Sequence, residues 1–161
     1  MNTLRNAAIS LALAAAAATA HAGVKASAVT TYNALRTSTP DEVFVPLNNA
    51  GATTISFNLS SAGKKVLTYS AECAAFAPLG YGGWLDIDIY VNGVIVAPTA
   101  NNEDAFCTAH GAEDDDPRYV RASITVAIQG VLGNNTIRIK ARGSGGATGL
   151  WLGDSALVVY D

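Results

Sequence analysis

The sequence predicts an all-β protein, an antiparallel β-sandwich of the jelly-roll kind held by one disulfide. Three observations carry that reading. Apolar and polar residues alternate with a period of two in short runs. Gly, Asn, Pro and Asp separate the runs at spacings of roughly 8–12 residues, as in sandwiches and barrels. Beyond the first two dozen residues no stretch keeps the 3.6-residue period of a helix that would connect parallel strands.

The chain has 161 residues and opens Met1-Asn2-Thr3-Leu4-Arg5-Asn6. An apolar stretch follows from Ala7 to Ala20, broken by Ser10 and Thr19, and then Ala20-His21-Ala22-Gly23. A basic start, an apolar segment and a small-x-small site are the parts of a secretory signal peptide, here with cleavage after Ala22. The apolar segment is shorter than the roughly 20 residues that span a bilayer, and no later stretch is long enough either. No Cys follows the site, which argues against a lipid anchor. Residues 1–22 are thus expected to direct export, to a periplasm or out of the cell. Residues 23–161 are expected to form one domain, long enough to bury a core without metals.

Within that domain Val24 to Tyr32 is rich in Val and Thr. Glu42 to Leu47 sets Val43 and Val45 against Phe44, and Thr53 to Leu59 sets Ile55, Phe57 and Leu59 against Thr54, Ser56 and Asn58. Lys65 to Cys73 carries Leu67, Tyr69, Ala71 and Cys73 on one face. Trp84 to Val91 is the clearest strand, with Leu85, Ile87, Ile89 and Val91 opposed to Trp84, Asp86, Asp88 and Tyr90. Asn92-Gly93 then leads into Val94 to Ala97, the strongest short-range hairpin pattern, because both turn residues tolerate positive φ. Ala105 to Ala109 is short, and Tyr119 to Gln129 turns Ile124, Val126 and Ile128 inward. Gly130 to Asn135 reads as a loose turn into Thr136 to Arg142, where Ile137, Ile139 and Ala141 oppose Arg138, Lys140 and Arg142. Gly143-Ser144-Gly145-Gly146-Ala147 reads as a flexible joint. Leu150 to Leu152 and Ala156 to Tyr160 close the chain on either side of Gly153-Asp154. Nine or ten strands result.

Charge and cysteine content narrow the function classes. Ten basic residues stand against thirteen acidic ones, and the export segment removes one base and no acid. A mildly acidic chain lacks the clustered Lys and Arg that nucleic acid requires. Cys73 and Cys107 are the only cysteines. In an exported chain they read as a disulfide, whose loop closure stabilises by about 3–4 kcal/mol in the chain-entropy model. Two Cys without a CxxC spacing make a poor zinc site.

Asp86 and Asp88 share a strand face about 7 Å apart, a spacing that suits one calcium ion and equally a solvated face. If the Arg138–Lys140–Arg142 strand is their neighbour, cross-strand ion pairs follow. Glu113, Asp114, Asp115 and Asp116 crowd four carboxylates into one loop. Such a run is held apart by solvent or gathers a divalent ion, without the EF-hand spacing. His110 is the only His outside the export segment, so a hydrolase would have to centre on it. Cys107, expected to be oxidised, offers it no nucleophile. No Gly-x-Ser-x-Gly, His-Glu-x-x-His or phosphate loop is present, and the reading is non-catalytic. Tyr81, Trp84 and Trp151 are candidates for a sugar-stacking platform, or else fill the ends of the core with their indole N–H groups bonded.

Several segments together resemble small uncharacterised secreted bacterial β-sandwich proteins. They are Ser70-Ala71-Glu72-Cys73, the Trp84 to Ile89 strand with its Asn92-Gly93 turn, Phe106-Cys107-Thr108, and Trp151-Leu152-Gly153-Asp154 through Val158-Val159. Their architecture is similar to the jelly rolls of the C1q and tumour-necrosis-factor type. That resemblance implies a central place for the last strand, self-association, protein partners and in some cases calcium. The expected function is therefore an extracytoplasmic interaction or assembly module with a protein or a cell-surface polysaccharide as partner. The alternative is a carbohydrate-binding module using exposed Tyr and Trp.

Overall fold

The computed structural model describes residues 23–31, 34–78, 82–96, 105–108 and 119–161. The expected export segment, Tyr81, His110 and the Glu113–Asp116 run lie outside these residues.

Among the described residues eleven strands run in chain order: β1 (Val24–Thr30), β2 (Leu35–Thr37), β3 (Val43–Phe44), β4 (Ile55–Leu59), β5 (Gly63–Phe76), β6 (Trp84–Val91), β7 (Val94–Ile95), β8 (Ala105–Thr108), β9 (Val120–Gly130), β10 (Gly133–Ser144) and β11 (Gly149–Tyr160). They form two antiparallel sheets. The first has the order β1-β11-β5-β9, with β2 continuing the β1 edge along β11; the second has the order β3-β10-β6-β7, with β4 also on β10 and β8 also on β6. The sandwich is the architecture that alternation predicts, its disulfide is the one the cysteine pair predicts, and β11 is an interior strand of its sheet, as the jelly-roll resemblance implies.

Period two puts the apolar partners of each strand between the sheets. Leu67, Tyr69 and Ala71 of β5, with Leu150, Leu157 and Val159 of β11, face Leu85 and Ile89 of β6 and Ile137 and Ile139 of β10; all are buried. The Tyr69 ring lies 5.8 Å from Phe106, and burial pushes its phenol up to about 12. Cys73 on β5 is joined to Cys107 on β8 with their Cα atoms 6.2 Å apart, so the disulfide ties one sheet to the other.

The joints are tighter than the sequence suggests. Asn92 and Gly93 both take positive φ, 52° and 82°, as a type I′ hairpin requires. The Gly130 to Asn135 turn is pinned rather than loose. Asn135 is fully buried. Its amide oxygen accepts from the Val131 N–H and from Asn92 Nδ2, while its Nδ2 donates to the carbonyls of Val131 and Gly133. The Gly145-Gly146 joint is filled as well: a Cβ on Gly145 would overlap the Trp84 ring. The two short closing runs are one strand. A bulge between Gly153 and Ala156 shifts the β5 register there, so inward residues change from the even Leu150 and Leu152 to the odd Ser155, Leu157 and Val159.

Candidate functional site

The outer face of the second sheet concentrates the polar chemistry. β10 and β6 pair in register as Arg138 with Tyr90, Lys140 with Asp88 and Arg142 with Asp86. On its other side β10 places Lys140 opposite Phe44 of β3. The cross-strand neighbourhood that alternation suggested is therefore present, with bases on one strand and acids on the next.

Its burial is not that of a solvated face. Asp86 is 2% exposed and Asp88 7%. Asp86 Oδ2 accepts from Ser144 Oγ at 2.6 Å and from Arg142 Nε at 3.5 Å. Burial raises the carboxyl of Asp86 above its usual value, opposed by Ser144 and Arg142. Asp88 is raised too, first by burial and then by Glu42 and Asp86, against Arg142 and Lys140. Among the described residues no three His, Cys, Asp or Glu side chains converge, and Asp86 is already engaged by a guanidinium and a hydroxyl.

Beside this lattice lies a pocket of about 210 Å³ lined by Phe44, Tyr90, Gly93, Arg138 and Lys140. The Arg138 guanidinium carbon stands 3.5 Å from the centroid of Phe44, and Lys140 Nζ is 5.1 Å from both Phe44 and Tyr90. Lys140 also pairs with Glu42, which raises its pKa. Arg138 has no carboxylate within ion-pair distance among the described residues; its partner is the Phe44 ring, a cation–π contact. Gly93 belongs here because the hairpin turn supplies a wall without a side chain.

Unmet hydrogen-bonding capacity marks the same face. Five buried side-chain atoms lack a hydrogen-bond partner of regular geometry among the described residues, and four are Trp84 Nε1, Asp86 Oδ1, Arg138 Nε and Arg142 Nη2. Buried polar groups are normally satisfied; Trp84 lies close enough to Asp86 for its indole N–H to help hold that carboxyl down, and of the four only Arg138 lines the pocket.

The structure does not bring Trp84 and Trp151 together. Trp84 lies half-buried on the outer face of the second sheet, over Gly145. Trp151 lies half-buried on the outer face of the first, edge-on to Tyr119 with ring centroids 4.6 Å apart. They occupy opposite sides of the sandwich and form no common platform. Phe44, Tyr90, Arg138 and Lys140 were not singled out as ligand contacts in the sequence. Their place on the polar faces of their strands was visible, with Tyr90 on the face of Asp88 and Phe44 opposed to Val43 and Val45. The strand order that joins them was not.

No family model and no curated protein matches the chain. Solved structures with a similar course include a novel β-glucosidase from Paenibacillus barengoltzii, 16% identical over 82% of this chain with a TM-score of 0.37. A sugar-binding protein, the EclA C-terminal domain, is 8% identical over 88% with a TM-score of 0.39. The Eiger tumour necrosis factor from S. frugiperda is 10% identical over 86% with a TM-score of 0.38. The chain spans 10% of the β-glucosidase, 85% of the EclA domain and 93% of Eiger. At these values none of the three transfers a site residue or a ligand to this chain.

Proposed function

We propose that the protein is a non-catalytic carbohydrate-binding module whose sugar sits in the Phe44–Tyr90–Arg138–Lys140 pocket. The pocket itself carries the reading: two aromatic rings and two cationic donors converge on one concavity of about 210 Å³. Small-molecule clefts usually measure about 300–1,000 Å³, so this one suits a single ring-sized group, such as one residue of a polysaccharide. The ring of Tyr90 supplies an apolar face for the C–H surface of a sugar, and Lys140 and Arg138 supply hydrogen bonds to its hydroxyls. Export to the cell exterior, the expectation drawn from residues 1–22, would bring the module to cell-surface polysaccharides.

A glycan array followed by calorimetry on the best binder tests this. Tyr90→Ala and Arg138→Gln are each expected to weaken that binding by about tenfold or more, the scale of one lost stacking ring or charged hydrogen bond. Binding that both variants leave intact, or an array on which no glycan is retained, would overturn the proposal.

A further inference from the structure

One end of the sandwich combines exposed aliphatic side chains with an excess of lysine, and it borders the pocket through the β6–β7 hairpin, where Gly93 lines the pocket and Ile95 pairs with Tyr90. Antiparallel registry gathers four features at that end. The β9–β10 turn carries Val131 and Leu132, and the β6–β7 hairpin carries Val94 and Ile95. There β1 begins at Val24 opposite Tyr160 near the close of β11, and β5 begins beside Gly130. Val24, Val94 and Leu132 are 66%, 67% and 69% exposed. Among the described residues, five of the seven large exposed aliphatic or aromatic side chains fall here, the others being Val29 and Tyr119. That concentration decides against a random scatter of surface apolar residues, which needs no explanation.

The presentation is rigid. Asn135 ties the two turns together, bonding Val131 from one side and Asn92 from the other, and Asn92 also accepts from the Thr136 N–H at 2.9 Å. The charge is one-sided. Lys25 and Lys65 share a single acid, Asp161, at 2.7 and 2.8 Å. Lys64, one position along on the outer side of β5, has no carboxylate within ion-pair distance among the described residues.

We infer that this end is a peripheral membrane-contact surface, with Val94, Val131 and Leu132 dipping into the interface of an anionic lipid bilayer while Lys64 and Lys25 meet its phosphates. Aliphatic side chains on fixed turns, ringed by Lys, match an anionic interface in both terms that govern such binding, apolar burial and charge attraction. A second copy of the chain fits worse, because tip-to-tip contact would bring Lys64 and Lys25 against their own counterparts.

Co-sedimentation of the purified protein with vesicles tests the surface. Vesicles of phosphatidylcholine with phosphatidylglycerol are expected to retain the protein, vesicles of phosphatidylcholine alone to retain far less, and added salt to release it. The double variant Val94→Ser, Leu132→Ser is expected to reduce retention by about tenfold or more with an unchanged melting temperature. Lys64→Glu is expected to reduce it too and to flatten the salt dependence; it carries the test alone if the double variant folds poorly. Retention equal on both vesicle types, or unaffected by these substitutions, overturns the inference. So does a dimer in sedimentation velocity that the double variant abolishes, which would assign the surface to a second copy.

Discussion

Asn135 is a buried polar side chain whose amide oxygen and nitrogen are both used, and its neighbours depend on it. Replacing it by Ala leaves the Val131 N–H and Asn92 Nδ2 without their acceptor. A buried group stripped of its partner costs roughly 1–3 kcal/mol. Asn135→Ala is therefore expected to lower unfolding free energy by about 2 kcal/mol in urea titration, and a change under about 0.5 kcal/mol would show that the turn does not rely on it. Asp86 illustrates the opposite balance, a carboxylate held in place at a desolvation cost. Its folded pKa is raised by burial, so over the window above its unfolded value the native state binds more protons than the unfolded chain. Its contribution to stability is then fully present below the unfolded value, near about 3.9, and is lost as pH rises through the raised folded value. Asp161 runs the other way: Lys25 and Lys65 lower its pKa, so its contribution is present above the unfolded value and lost as pH falls through the lowered one. In Asp86→Asn the acid-side gain is missing. The melting-temperature difference between wild type and this variant should shift in favour of wild type as pH falls from about 7 to about 4; a shift the other way would contradict the assigned sign.

Strands were the most legible part of the chain, because alternation directly reports which side chains share a face. The faces of β6 and β10 and the Asn92-Gly93 hairpin follow from the residues alone. Three things did not. The three residues of β2 are too short to leave a periodic trace. The bulge near Asp154 inverts parity in mid-strand, which in a sequence looks like a strand ending. Alternation also says that Asp86 and Asp88 point away from the core, but not that they are buried there, with Asp86 held by Ser144 and Arg142. The disulfide is the long-range element that the cysteine count did reveal. It links β5 to β8 across the sandwich over a sequence separation of 34, and β8 pairs only with β6 among the described strands. The double variant Cys73→Ala, Cys107→Ala should lose about 3 kcal/mol of stability by denaturant midpoint, and a loss below about 1 kcal/mol would mean that β8 is held mainly by its ladder.

At the scale of the whole molecule the two outer faces and one end differ in chemistry. The first sheet carries Trp151 against Tyr119 and a hydroxyl chain in which Thr68 bridges Thr125 and Tyr160 at 3.0 Å each. The second sheet carries an interleaved set of three bases and three acids, Arg138, Lys140 and Arg142 with Glu42, Asp86 and Asp88, and the aromatic pocket at its margin. Only strand order separates these assignments. Trp84 and Trp151 looked equivalent in the sequence, yet they diverge because β6 and β11 belong to different sheets, whereas Phe44 and Tyr90 converge because β10 lies between their strands. The pocket beside β10 is the proposed glycan site. The most direct measurement is amide chemical-shift mapping during titration with the best glycan from the array. The largest shifts are expected on Phe44, Tyr90, Gly93, Arg138 and Lys140 while Trp151 and its neighbours stay in place; shifts centred on Trp151 and Tyr119 would put the glycan on the first sheet instead.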